Sequence, residues 1–335
     1  MKNKAYLQYM WPIFGIIVML FSAKILYNEF HNPHSELSHL DWHDLITRIQ
    51  SIPHIRWLGA TICTIIAYLS LAEYDKIALE HLQRKISWWF IAAASFTAYT
   101  ISHSIGASIF SGAAIRYRAY STKGLTGAEV AILVAFCSFT FVMGVILLLG
   151  GLLLFNPSLA LMLQPEIGKL FNYIITPYSL KCAAFITAVI LLLLVCIYIF
   201  GSWLHLPPIK IGKHLKIVYP KLKIVAKQIV VGPLELLASS GIIYFMLPPS
   251  THLDFASVTI AFLLCFALGI LSNAPGGGLG IFELSFISLF PEQDARNILV
   301  ALIVFRFFYI IIPLLISTIF VGIFEFFEYR KRQAI

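Results

Sequence analysis

The sequence predicts an all-α integral membrane protein of six full spans plus two re-entrant helical hairpins, in an inverted-repeat arrangement. Three observations carry this. The 335 residues are 59% hydrophobic and only 12% charged, where soluble domains carry about 25% charged residues. The apolar runs are long and continuous, which selects helices over the short alternating segments of a transmembrane β-barrel. Two of the runs are broken midway by polar and glycine-rich residues. The same composition excludes a soluble globular, disordered or fibrous chain.

A helix of about 20 apolar residues crosses a bilayer, and six runs meet this: 9–27, 55–77, 128–155, 180–200, 229–247 and 298–325. The first begins with lysines and passes small residues at Ser22 and Ala23, as a signal peptide would. Its apolar run continues to Tyr27, so it is read as an uncleaved span. The segment 28–54 follows outside, with a short interfacial helix over 41–52 anchored by Trp42. The stretches 88–120 and 255–290 are interrupted by Ser102-His103-Ser104-Ile105-Gly106 and by Ser272-Asn273-Ala274-Pro275-Gly276-Gly277-Gly278. Non-helical backbone at membrane depth survives only where protein or a water-filled cavity satisfies it.

Charge decides how those two stretches run. If each crosses once, 10 Lys and Arg lie inside and 13 outside; if each returns to its own side, 17 lie inside and 6 outside, with Arg306 in the membrane either way. Lys and Arg concentrate on the cytoplasmic side, so the second arrangement holds. Both termini are then cytoplasmic, the first hairpin dips from the cytoplasm and the second from outside. The loop holding Lys210, Lys213, Lys216, Lys221, Lys223 and Lys227 faces inward as an orientation signal and a contact for anionic lipid. The net charge of +8 thus belongs to topology and gives no reason to expect nucleic acid. The five cysteines lie in apolar runs without metal spacing; no metal or cofactor is expected.

The chain reads as one membrane domain with an internal repeat: 55–155, then 229–327, joined by a span and basic loop over 156–228. An offset of 170 aligns Ser102 with Ser272, Val130-Ala131-Ile132-Leu133-Val134 with Val300-Ala301-Leu302-Ile303-Val304, and Tyr74 with Tyr244. Two hairpins entering from opposite faces are the mark of inverted-repeat secondary transporters, whose sites lie near the midplane at the broken helices.

Ionisable residues within spans are candidates for function. Glu283 follows the glycine-rich turn Gly276-Gly277-Gly278-Leu279-Gly280, and Arg306 lies in the last span. Glu235 lies early in its span, His103 in the first turn, and Arg116 and Arg118 where that hairpin returns. Asp75 ends its span, where Lys76 or Arg84 can pair with it. A helix starting near Gly280 would aim its positive end at an anion; Gly276 and Gly280 also form a helix-packing GxxxG. The turn lacks the Lys-Ser/Thr of a nucleotide loop.

Tyr74-Asp75-Lys76-Ile77-Ala78-Leu79, Ser102 to Gly106, Ser111-Gly112-Ala113-Ala114-Ile115-Arg116-Tyr117-Arg118-Ala119-Tyr120, Ser272 to Glu283, Arg306 and Pro313 carry a resemblance. Over most of residues 10–327 the chain resembles the membrane flippase region of the bacterial lysylphosphatidylglycerol synthase/flippase family, the multiple peptide resistance factor group. His103 stands where that pattern has Asn, and Glu235 where it has Asp. The resemblance implies a bacterial inner-membrane transporter that moves an aminoacylated phospholipid between leaflets and so alters resistance to cationic peptides. The chain reaches Ile335 soon after Tyr329-Arg330-Lys331-Arg332, so a cytosolic synthase domain is not expected, nor an enzyme. A separate synthase and a second copy of the chain are the partners left open. On this reading Arg306, with Arg116 or Arg118 and the Gly276–Gly280 helix end, receives the phosphate. Glu283 and Glu235 receive an amino group, and Asp75, Ser102, His103, Asn273, Gly277 and Gly278 complete the site. A lipid gradient, or protons through Glu283 or His103, drives transport. The alternatives are an isoprenoid-linked carrier or other phospholipid as cargo, or a membrane adaptor of a lipid-modifying enzyme.

Overall fold

A computed structural model describes Lys24, Tyr27 and residues 41–105, 108–165, 176–204, 209–211, 215–217, 220–272 and 278–333. The helices are α1 (Trp42–Gln50), α2 (His54–His81), α3 (Trp88–Ile105), α4 (Ser108–Ser121), α5 (Gly127–Phe155) and α6 (Pro177–Trp203). They continue with α7 (Leu222–Met246), α8 (Phe255–Ser272), α9 (Ile281–Ser288), α10 (Ala295–Arg306), a π-helical turn (Phe307–Ile311) and α11 (Ile312–Gln333). Six helices among the described residues are long and apolar enough to cross a membrane: α2, α5, α6, α7, α8 and the continuous stretch Ala295–Phe324. The expected span 9–27 lies outside the described residues. Length and composition admit α8 as a crossing helix, where the sequence reading makes it one arm of a hairpin.

Local signals set the helix ends. Thr126 and Glu129 form a reciprocal capping box at α5, Thr176 caps α6 ahead of Pro177, and Asp294 caps α10. The expected interfacial helix is α1, capped by Asp41, with Trp42 78% exposed. Pro313 has no N–H for the carbonyl of Tyr309, four residues back. That carbonyl accepts instead from the Tyr68 hydroxyl at 2.8 Å, and the helix widens into the π turn. Within the basic loop the structure departs from the sequence reading: β1 (Ile209–Ile211) pairs antiparallel with β2 (Leu215–Ile217), Lys210 opposite Lys216.

Polar contacts establish which helix ends meet. Arg56, at the start of α2, donates to the carbonyl of Leu247, just past α7. Glu80, at the end of α2, pairs with Lys227, at the start of α7, at 2.5 Å. So α2 and α7 run antiparallel, and their contact is the most extensive in the molecule. Arg84, after α2, pairs with Glu129, at the start of α5, at 2.6 Å. Lys123, after α4, lies 4.7 Å from the ring centroid of Phe90, near the start of α3. The pair α3–α4 therefore leaves and returns at one end of the bundle. At the other end Arg48 of α1 pairs with Asp294, at the start of α10, so α8–α9 begins and ends there. At about 1.5 Å per residue, the 14 residues of α4 reach about 21 Å and the 8 of α9 about 12 Å, short of a hydrocarbon core of about 30 Å. The order long helix, helix, short helix, long helix occurs twice. The starts of α2 and α7, α3 and α8, and α5 and α10 are 168, 167 and 168 residues apart.

Small residues let the inner helices approach. A Cβ on Gly144 of α5 would lie 2.6 Å from the backbone carbon of Gly232 of α7, so both positions need glycine for the crossing. α6, with Phe185, Ile190, Leu194 and Ile197 exposed, forms an outer wall.

Candidate functional site

Three buried carboxylates lie among the inner helices, and each meets a different fate. Asp75 of α2, fully buried, accepts from Arg116 of α4: Nε at 3.1 Å and Nη2 at 2.9 Å to Oδ1, and Nε at 3.0 Å to Oδ2. Tyr120 donates to Oδ2 at 2.9 Å and the Cys137 thiol to Oδ1 at 3.4 Å. The guanidinium sits 4.3 Å from the Tyr99 ring centroid. Charge-assisted multidentate bonds of this kind hold both partners rigidly. The local partners expected for Asp75 are engaged elsewhere, Lys76 with Glu73 and Arg84 with Glu129. Arg116, expected to receive phosphate, is locked to Asp75 and ties the broken pair α3–α4 to α2. Arg118 lies half-buried, 5.4 Å from the Phe324 ring centroid of α11.

Glu283 of α9 is the second carboxylate. Its Oε1 accepts from Arg306 Nε, and its Oε2 from the Gly280 backbone N–H at 2.7 Å. The positive end of α9, read from sequence as an anion site, thus holds the helix's own carboxylate. Gly280 and Gly278 have φ of +88° and +79°, and a Cβ on Gly278 would lie 2.7 Å from Gly269 Cα of α8. These two glycines serve the tight turn that aims Glu283 at Arg306. Asn273, Gly276 and Gly277 lie outside the described residues.

Glu235, in the middle of α7 and 2% exposed, is the third. Its Oε1 accepts from Ser239 and from the Tyr309 hydroxyl, each at 2.9 Å, and its Oε2 finds no hydrogen-bond partner among the described residues. Ser102 donates to its own helix at Ala98 and touches Gly112, whose Cβ would lie 2.5 Å from its Oγ. His103 stacks on Tyr309 at 5.4 Å, and its Nδ1 has no hydrogen-bond partner among the described residues.

His103, Phe266, Phe282, Phe305, Arg306, Tyr309 and Ile310 line one cleft. Its volume is about 10 Å³, room for about one water. Phe282, Phe305 and Tyr309 stack in series along one wall. Sequence reasoning passed over these aromatics and Tyr309, although the run Phe305-Arg306-Phe307-Phe308-Tyr309 was their signal. Among the described residues, no three His, Cys, Asp or Glu side chains gather as a metal site.

Residues 13–317 match the family model described as the lysylphosphatidylglycerol synthase TM region. The chain belongs to this family. It is similar to protein slr0712 of Synechocystis sp., 31% identical over 302 residues covering 89% of this chain and 88% of that one. It is also similar to the inner membrane protein YbhN of Escherichia coli K12, 24% identical over 286 residues covering 84% and 83%. For this member of the synthase TM-region family, the stretches that carried the resemblance hold both buried ion pairs. Ser111 to Tyr120 contributes Arg116 and Tyr120, and Ser272 to Glu283 contributes the capped carboxylate. Its six apolar helices and its family make it a multi-pass membrane protein.

At the α1 end lies a half-buried polar cluster, with Asp44, Arg48 and Asp294 outside the spans. Arg48 pairs with Asp44 at 2.9 Å and Asp294 at 3.1 Å, and donates to Asn297. Burial opposes charge on both Arg48 and Asp294. The Asp44 and Asp294 carboxylates outweigh it and hold Arg48 above its ordinary value. Bonds from the Arg296 side chain and backbone, with the charges of Arg48 and Arg296, hold Asp294 below its ordinary value.

Proposed function

We propose that this protein is a phospholipid transporter, not an enzyme, that moves an aminoacylated phospholipid such as lysyl-phosphatidylglycerol between leaflets of a bacterial inner membrane. The observation that carries it is the Glu283–Arg306 pair at the edge of a small, aromatic-walled cleft lined from α3, α8, α9, α10 and the π turn. A buried ion pair is weak evidence for stability, and intramembrane charges mark substrate paths by default. A head group bearing phosphate and ammonium can exchange with that pair. Arg306 turns to the phosphate and Glu283 to the ammonium, so no charge is left buried alone. Asp75 and Arg116 stay together and anchor the hairpin.

The ends that meet support re-entry of α3–α4 and α8–α9 from opposite faces, with the two repeats inverted. The face carrying Lys221, Lys223 and Lys227 is cytoplasmic, which puts both termini inside. Lysyl-phosphatidylglycerol carries one net positive charge, and moving it outward against an inside-negative potential costs about 2.3 kcal/mol per 100 mV.

The test is reconstitution into vesicles with lysyl-phosphatidylglycerol in one leaflet and detection of its amine from the other side. Wild type accelerates appearance of the lipid, and Glu283→Gln, which keeps the shape but not the charge, lowers the rate at least about tenfold, as expected for losing a charged contact. Equal rates in both would remove Glu283 from the path; no acceleration by wild type would remove the transport reading.

A further inference from the structure

We infer that Glu235 is a proton-binding site at the centre of the bundle, coupled mechanically to the cleft through Tyr309. Its surroundings separate it from the other two carboxylates. Asp75 and Glu283 each face an arginine, whereas Glu235, among the described residues, is held by neutral groups alone. An isolated carboxylate in such a place carries a desolvation penalty of several kcal/mol. Adding a proton to Oε2 removes the charge, and Oε2 is the oxygen without a hydrogen-bond partner among the described residues. The carboxylate takes a proton from hydronium to give the acid and a water molecule, and the reverse step returns it.

The titratable groups on the helices packed against α7 leave Glu235 without a counter-charge among the described residues. From α2 come Tyr68 and Tyr74, neutral hydroxyls, and Asp75, held by Arg116. From α5 comes Cys137, whose thiol is on Asp75, and from α8 Cys265, in the field of Glu283. α6 contributes Tyr198, bonded to Gln228. From α10 and the π turn come Arg306, paired with Glu283, and Tyr309.

Coupling follows from Tyr309. Its hydroxyl donates to Glu235, its ring stacks on His103 in the cleft wall, and it sits three residues after Arg306. The π turn that carries it is the less regular, Pro313-loosened part of the last span, and such turns cluster at functional sites. A head group that draws Arg306 from Glu283 shifts this turn. That shift withdraws the Tyr309 hydroxyl and changes what Glu235 needs. The protonation claim stands on its own; the coupling claim rests on the transport reading.

Two measurements keep them apart. Infrared spectroscopy of the purified full chain at about neutral pH reads protonated carboxyl groups directly. The expected result is a protonated-carboxyl band that Glu235→Gln removes and Glu283→Gln retains, with Tyr309→Phe shifting its position. An unchanged band in Glu235→Gln, or no band in folded wild type, overturns the protonation claim whatever the lipid does. In vesicles containing lysyl-phosphatidylglycerol, one proton per lipid moves the leaflet ratio by up to about tenfold per unit of pH difference. Wild type is expected to shift the ratio and Glu235→Gln to leave it where no gradient puts it. A gradient-indifferent wild type that still exchanges lipid overturns coupling alone. A folded Glu235→Gln, verified by its elution and melting, that still follows the gradient overturns it as well.

Discussion

Replacing Arg116 with Met tests the anchoring pair most sharply. The substitution keeps a long unbranched side chain and removes the guanidinium. Asp75, fully buried, then loses all three N–H bonds and retains only Tyr120 and the Cys137 thiol. Removing one partner of a buried pair costs about 3–5 kcal/mol, because it strands the other charge, whereas replacing both with apolar groups is often close to neutral. Arg116→Met should therefore lower unfolding free energy in detergent by about 3–5 kcal/mol, and Asp75→Leu with Arg116→Met by clearly less than either single change. The assay is denaturant unfolding followed through a double-mutant cycle. A single change within about 0.5 kcal/mol of wild type, the range of an ordinary surface substitution, would refute the reasoning, because it would mean the pair is hydrated. Equal losses in single and double variants would do the same.

Other expectations follow from particular contacts. Gly144→Ala places a methyl 2.6 Å from the Gly232 backbone, which only helix separation relieves; overpacking of this kind costs about 1–3 kcal/mol, visible as a lower melting temperature, and an unshifted melt would contradict the crossing. Gly278→Ala meets both Gly269 and a left-handed φ of +79°; it should lose stability by at least the roughly 1–2 kcal/mol of that backbone conformation, and a neutral effect would contradict the turn. Asp294 is held below its ordinary value of 3.8, so its contribution to the α1–α10 contact is complete above that value and is lost as pH falls through the lower folded value. Spin labels on α1 and α10 should separate in that acidic window while Arg48 keeps its charge, and Asp294→Asn should abolish the pH dependence of their distance.

The spans 55–77, 128–155, 180–200, 229–247 and 298–325 were legible because hydropathy over about 20 residues is a long, redundant signal, whereas the caps Thr126, Thr176 and Asp294 that set helix starts went unread. The lysine and arginine distribution, a property of whole loops, predicts that the stretch 88–120 returns to its own side, and Lys123 lies near Phe90 at the start of α3. The partner of Asp75 was not. Arg116 lies 41 residues away, and Lys76 and Arg84 offered nearer cations that the fold turns elsewhere. Glu283 as the cap of its own helix was hidden because Gly280 and Glu283 stand at N-cap spacing in a stretch that also reads as an anion loop. Tyr309 was missed for a different reason: an aromatic in an apolar run looks like packing, and only Pro313 four residues on hinted that its carbonyl, and so its turn, would be irregular. The ribbon at Ile209–Ile217 was overlooked because the lysines were counted for charge, while Ile-Lys-Ile and Leu-Lys-Ile alternate with the period of a strand.

The proposed transport requires that the pairs α3–α4 and α8–α9 enter from opposite faces of the membrane, and side-specific labelling of single cysteines tests this most directly. Lys85→Cys and Thr122→Cys flank α3–α4, and Ser250→Cys and Glu292→Cys flank α8–α9; all four sites are exposed. In a background lacking the five native cysteines, an impermeant thiol reagent should reach the first two only from the cytoplasmic side and the last two only from the opposite side. Labelling of the two sites flanking either pair from opposite sides would contradict it.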